Sequence, residues 1–175
     1  LFSKNNKETI LFSKSNINLN GIKGLIKAGK DIYNINSKII GEYNQENILT
    51  AVSVLHSLGL NKDSISGGIN KCEQIPGRLE SFKLSTGAKA IIDYAHTPEA
   101  LKNTLKEIKR FHNNDLWCLF GCGGDRDKSK RQVMGKIAND LSDYIYLTDD
   151  NPRFENPKKI RSQIKRKIDI NKFSE

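Results

Sequence analysis

Three short apolar runs, Ala90-Ile91-Ile92, Leu116 to Gly121 and Tyr144 to Thr148, alternate with longer segments whose apolar residues recur at helical spacing. The first of these segments carries Ala100, Leu101, Leu105 and Ile108 on one stripe, and Thr97-Pro98-Glu99 opens it with a cap residue and a proline at the first helical position. It is expected to run to about His112, with further helices from about Lys130 to Leu141 and from Pro157 to Ile168. Strands alternating with helices predict an α/β domain built on a parallel sheet with helices on both faces, because parallel neighbours need a long crossover. Ligands bind such sheets at the carboxyl ends of the strands. Three informative loops follow strands: Asp93-Tyr94-Ala95-His96, Gly121 to Asp127, and Asp149 to Arg153. All three are expected at one edge of one sheet.

Upstream the pattern differs. Residues 1 to about 40 alternate apolar pairs with polar residues and glycine, as short antiparallel strands joined by turns do. Asn44 to Leu58 places Ile48, Leu49, Val52, Leu55 and Leu58 at helical spacing and stops at Gly59, a residue suited to the left-handed cap. A second short helix is expected from Asp63 to Asn70. Ile75-Pro76-Gly77-Arg78 is a breaker segment, and a boundary there divides 1–76 from 77–175. The incomplete sheet of the amino-terminal portion makes that portion the less stable half in expectation. The start at Leu1 and the polar stretch around it are read as those of a piece of a longer polypeptide.

The net charge of +9 and pI near 9.4 would suit a nucleic-acid binder. The lysines, however, are scattered through nearly every segment among Asn and Ile, and only Lys158 to Lys172 resembles a basic face. A solvated surface with a compositional bias is therefore expected, with no nucleic-acid partner. No apolar run approaches the roughly 18 residues that span a bilayer, and no signal peptide is recognisable, so no membrane partner and a cytoplasmic location are expected. Cys72, Cys118 and Cys122 lack the spacing of structural zinc sites and are read as reduced thiols; no metal site is expected. Nothing in the sequence sets an oligomeric state.

The loops carry the chemistry. Gly121 to Asp127 is too short and too acidic for a phosphate-cradling loop, but its glycines let the backbone turn and Arg126 projects a guanidinium suited to a carboxylate. A surface ion pair of Arg126 with Asp125 or Asp127 explains the loop equally well. Asp150-Asn151-Pro152-Arg153 sets a carboxylate, an amide and a guanidinium around a stiffening proline. It can hold an ammonium and a carboxylate together, as an amino-acid zwitterion requires, or be an ordinary Asx turn. His96 fits an acid, a base or a packing role.

Taken together, Gly77-Arg78-Leu79-Glu80, Asp93 through Pro98, Phe120 through Lys128 and Thr148 through Arg153 resemble, in order and spacing, the Mur ligases, and among them the members that add the third residue of the peptidoglycan stem peptide. The resemblance is close from about Gly41 to Pro157. It implies the end of a central ATPase domain over 1–76 and the beginning of a Rossmann-like carboxyl-terminal domain over 77–175. It implies ATP and Mg2+ as requirements, UDP-N-acetylmuramoyl-L-alanyl-D-glutamate as acceptor of a phosphoryl group, and an amino acid whose amine attacks the acyl phosphate. Asn47, Arg78, Asp93, Tyr94 and His96 match the family's ATP-contacting positions. Arg126, Asp150, Asn151, Pro152 and Arg153 match its amino-acid site, and Asp-Asn-Pro-Arg there goes with meso-diaminopimelate, whereas lysine-adding members differ at the Arg position. The family's Gly-x-x-Gly-Lys-Thr/Ser loop, its carbamylated lysine and its Gly-Lys-Gly-His-Glu segment are missing from this sequence. No catalytic residue is therefore expected in this chain, which alone is expected neither to hydrolyse ATP nor to form the amide. A lysine-adding or other Mur-type ligase, and a non-catalytic binding module, remain as alternatives.

Overall fold

The computed structural model describes residues 9–111 and 113–174, and contacts divide the chain into two units, residues 1–94 and 95–175. The first unit opens with an antiparallel three-stranded sheet in the order β1 (Ile10–Asn18), β2 (Gly21–Ala28), β3 (Asp31–Ser37). Alternation sets its faces: Ile22, Ile26 and Ala28 of β2 and Tyr33 and Ile35 of β3 are buried, with exposed residues interleaved. The helices α1 (Glu42–Ser57) and α2 (Lys62–Lys71) complete this core with Ile48, Val52 and Ile65. Burying each such side chain contributes about 1.5–3 kcal/mol. Gly59, at φ 74°, follows the end of α1 as expected. Asn61 caps α2, its side chain accepting from the amides of Asp63 and Ser64. A register shift between Phe12 and Lys14 bends the edge strand β1.

A hairpin follows, β4 (Glu80–Lys83) paired antiparallel with β5 (Lys89–Ile92). The strand expected over Ala90–Ile92 therefore exists, but it is not part of the parallel sheet. Its preceding neighbour β4 is close enough in sequence to pair through a short turn, where the Gly87 amide donates to the Leu84 carbonyl and the Leu84 amide to the Ala88 carbonyl. By contact the hairpin belongs with the first unit, which ends at Tyr94.

The second unit contains α3 (Pro98–Arg110), β6 (Trp117–Phe120), α4 (Ser129–Leu141), β7 (Tyr144–Leu147), α5 (Pro157–Lys165) and, after a 3-10 turn at Ile170–Lys172, β8 (Phe173–Ser174). Its sheet is parallel, in the order β6-β7-β8. The α3 cap is as read from the sequence, with Thr97 Oγ1 accepting from the Ala100 amide at 3.2 Å. Cys118, Ile145 and Leu147 are buried beneath the helices, and Gly135 of α4 lies so close to α5 that a Cβ there would sit 2.2 Å from the Ile164 carbonyl oxygen. Helices on both faces were expected, but among the described residues the opposite face stays open. Trp117, Leu119, Tyr144 and Tyr146 on it are exposed, with Trp117 stacked on Tyr144 at 4.4 Å.

Candidate functional site

Two loops leave the carboxyl ends of neighbouring parallel strands, residues 121–128 after β6 and 148–156 after β7. Parallel pairing brings both to one edge and aims them the same way. They are tied to one another by backbone: the Gly124 amide donates to the Asn151 carbonyl at 2.8 Å and the Thr148 amide to the Phe120 carbonyl at 3.1 Å. The glycines permit this approach. A Cβ on Gly124 would lie 1.8 Å from the Pro152 carbonyl oxygen, and one on Gly121 would lie 2.5 Å from that of Thr148.

Beneath the loops is a buried ion pair. Arg131, on the first turn of α4, has no exposed surface, and its guanidinium donates to both Glu155 carboxylate oxygens at 2.9 and 3.0 Å, to Gln163 Oε1 at 2.6 Å and to the Gly123 carbonyl at 3.2 Å. Its Nε has no partner among the described residues. Glu155 also accepts from the Asp125 amide at 2.7 Å and lies 3.6 Å from Lys128 Nζ. One fork thus joins α4, both loops and α5. The Arg131 hydrogen bonds hold the Glu155 carboxyl at about 2, well below its ordinary value. The same bonds, working against burial, push the Arg131 pKa up. The stabilisation from a depressed carboxylate is complete above its unfolded pKa, near 4.5, and fades as pH falls through the folded value near 2.

On this support the expected amino-acid residues gather. The Arg153 amide donates to Asn151 Oδ1 at 3.3 Å, so the Asx turn weighed from sequence is present, made by Asn151. Arg153 itself stands at φ 49° and donates through Nη1 to the Gly124 carbonyl at 2.7 Å. Asp125, at φ 48°, is held by the Phe154 amide, which donates to its carboxylate at 3.1 Å. Two of the three non-glycine residues with positive φ among those described therefore face each other across these loops, a conformation sustained only where surroundings over-determine it. The Arg126 ion pair with Asp125 or Asp127 does not form: Arg126 is exposed with no partner among the described residues, while Asp127 accepts from Ser129. Asp150 is likewise exposed without a hydrogen-bond partner there, and Pro152 is half-buried between Asn151 and Arg153. The arrangement offers a free carboxylate, a free guanidinium and a fixed one on a braced edge.

The remaining positions divide between the units. In the first, the Leu79 amide donates to Asp93 Oδ1 at 3.2 Å, the Tyr94 amide to the Gly77 carbonyl at 2.8 Å, and the Arg78 guanidinium lies 5.3 Å from the Tyr94 ring centroid. Arg78, Asp93 and Tyr94 are thus assembled by one knot. Asn47 stands on α1, donating to Asn44 Oδ1 at 3.0 Å. His96 belongs to the second unit, where its carbonyl accepts from Lys130 Nζ at 2.9 Å. The expectation that the Asp93–His96 loop shares the sheet edge with the other two is therefore corrected, since β5 lies in the antiparallel hairpin. Among the described residues no three His, Cys, Asp or Glu side chains cluster as metal ligands would, and no helix is long and apolar enough to cross a membrane.

The model of the Mur ligase family's glutamate ligase domain matches residues 77–175. A relative named UDP-N-acetylmuramoyl-L-alanyl-D-glutamate--2,6-diaminopimelate ligase from Trichormus variabilis is 42% identical over 147 residues, covering 83% of this chain and 30% of that protein. One of the same name from Blochmanniella floridana is 43% identical over 160 residues, covering 91% and 32%. A solved structure of an enzyme of that name, 31% identical, matches 98% of this chain and 35% of its own with a TM-score of 0.64. A folylpolyglutamate synthase from Thermotoga maritima, at 17% identity, shares the fold with a TM-score of 0.74 over 95% of this chain and 38% of its own. The chain spans about a third of the length of these proteins.

Proposed function

The chain belongs to the Mur ligase family, and on that premise we propose that it forms the amino-acid-selecting part of an ATP-dependent ligase that adds meso-diaminopimelate to UDP-N-acetylmuramoyl-L-alanyl-D-glutamate, in cytoplasmic peptidoglycan precursor synthesis. Residues 1–76 would then end the central ATPase domain and 77–175 begin the carboxyl-terminal domain. The observation that carries the reading is the braced pair of loops presenting Asp150, Arg126 and Arg153 on one edge. The relatives' names supply the substrate.

In this reaction ATP transfers its γ-phosphoryl group to the glutamate carboxylate, giving an acyl phosphate and ADP, and the free amine of the incoming amino acid then displaces phosphate to give the amide. The chain's residues position the amine and assign its orientation. Asp150 accepts from an ammonium group of the ligand; Arg126 and Arg153 pair with carboxylate. Diaminopimelate carries a second carboxylate where lysine has none, and a charged hydrogen bond to it contributes roughly 1.5–3 kcal/mol. The lysine-adding alternative leaves Arg153 without an anionic partner, and the loop geometry gives it no support. Arg78, Asp93 and Tyr94, with Asn47 and His96, are proposed for the nucleotide: Asp93 for ribose hydroxyls and the Arg78–Tyr94 pair as a flat cationic surface. Among the described residues no donor cluster suits magnesium.

The test uses the full-length protein, following phosphate release from ATP. Release that requires both the UDP-linked dipeptide and meso-diaminopimelate is the expected result. Release independent of the amino acid, or supported equally by L-lysine, overturns the assignment.

A further inference from the structure

Away from these loops, α3 and α4 enclose an open groove of about 540 Å³. Its floor is a stripe of Val133, Ile137 and Leu141 at i, i+4, i+8 along α4, with Val133 49% exposed. That stripe runs about 12 Å, a little over two helical turns. Lys102 and Lys106, one turn apart on α3, form one wall, and Lys167 lies at the rim. None of these three lysines has an acidic partner among the described residues. Lys136 does, pairing with Asp140 at 2.9 Å, so four ammonium groups face one carboxylate around an apolar floor. The groove runs along α4 from its second turn to its end, and none of its lining residues belongs to the 121–128 or 148–156 loops.

A solvated lysine face needs no concave apolar floor, and an apolar cleft meant to be filled by solvent needs no ring of unpaired cations. We propose that this groove docks an acidic amphipathic helix of a partner protein, with two or three aliphatic side chains at i, i+4 seated on Val133 and Ile137 and flanking carboxylates paired with Lys102, Lys106 and Lys167. The concavity favours a helix over a planar lipid surface, and the unbalanced lysines disfavour a second copy of this basic face. Helix-in-groove recognition supplies the apolar anchors, and the rim charges set partner choice and encounter rate.

The probe is a fluorescein-labelled synthetic helix of roughly 15 residues, long enough to be partly helical alone, with Leu at every fourth position flanked by Glu. A twin carries Gln for every Glu. Fluorescence anisotropy with the full-length protein should show saturable binding of the Glu peptide. Affinity should be about tenfold or more weaker for the Gln twin, for the double variant Lys102→Glu/Lys106→Glu and for Val133→Lys, and should fall as salt rises. These are exposed positions, so unchanged thermal melting by circular dichroism checks that each variant is folded. Equal binding of the two peptides, or undiminished affinity in the folded variants, overturns the proposal. Co-sedimentation with phosphatidylglycerol vesicles in the absence of peptide binding would assign the groove to a membrane instead. A dimer by light scattering that Val133→Lys dissolves would assign it to self-association.

Discussion

Gly124→Ala in the full-length ligase is expected to raise the KM for meso-diaminopimelate about a hundredfold while changing that for ATP little. The new Cβ would stand 1.8 Å from the Pro152 carbonyl oxygen and 2.6 Å from its carbon. These are backbone atoms of the opposing loop, so no side chain can rotate away. The strands and α4 hold the loop bases, and relief must come from parting the loop tips by about an ångström, which is the scale of misplacement that removes about two orders of magnitude from a positioned reaction. The parting also breaks the Gly124 to Asn151 backbone hydrogen bond and the Arg153 contact to the Gly124 carbonyl. Steady-state kinetics with each substrate varied checks this. A change of less than about threefold for diaminopimelate would show that the loops' close approach is not what places the ligand.

Arg131→Ala is expected to lower unfolding stability by about 3 kcal/mol, read as a drop in the urea midpoint with little change in slope. The side chain is fully buried and its four hydrogen bonds all vanish together, leaving Glu155, Gln163 and the Gly123 carbonyl without their donor. Arg131→Lys should recover only part of the loss, since an ammonium cannot reproduce the two parallel bonds of the guanidinium fork. The gap between wild type and the alanine variant should narrow as pH falls from about 4.5 toward about 2, because protonating Glu155 removes the charge that Arg131 stabilises. A midpoint within experimental error of wild type at neutral pH would contradict the bracing role.

Much of the second unit was legible in the sequence because its signals are local. Thr97 with Pro98 marked the start of α3, and Leu101, Leu105 and Ile108 marked its buried face. The strands β6 and β7 were apolar runs of the right length between helices. What escaped depended on partners. Ala90–Ile92 reads as a strand whichever sheet it joins, and only the pairing with β4, whose Glu80–Lys83 stretch carries little apolar signal, takes it out of the parallel sheet. The two-residue strand β8 has too few residues to show a period. The open face of the sheet was equally invisible, since Trp117, Leu119, Tyr144 and Tyr146 are residues that periodicity assigns to a covered layer.

At the site, composition alone gave the Asp150–Arg153 loop two readings, and the structure contains elements of both: an Asx turn made by Asn151, and Asp150 left with no partner among the described residues. The residue missed altogether was Arg131, with its partner Glu155. A signal for it existed. Arg131, Met134, Gly135 and Ala138 fall at i, i+3, i+4 and i+7, so the arginine occupies a position on the buried stripe of α4, where a charge demands a buried partner. The identity of that partner, 24 residues downstream, could come only from the packed fold.

On the proposed function the 148–156 loop chooses the amino acid while other parts of the enzyme handle ATP. Arg153→Ala in the full-length ligase measures this most directly, by comparing KM values for meso-diaminopimelate and ATP. The expected result is a rise of at least about tenfold for the diamino acid, the scale of one charged hydrogen bond, with the ATP value nearly unchanged. Equal losses for both substrates would mean that Arg153 holds the loop together and does not read the ligand.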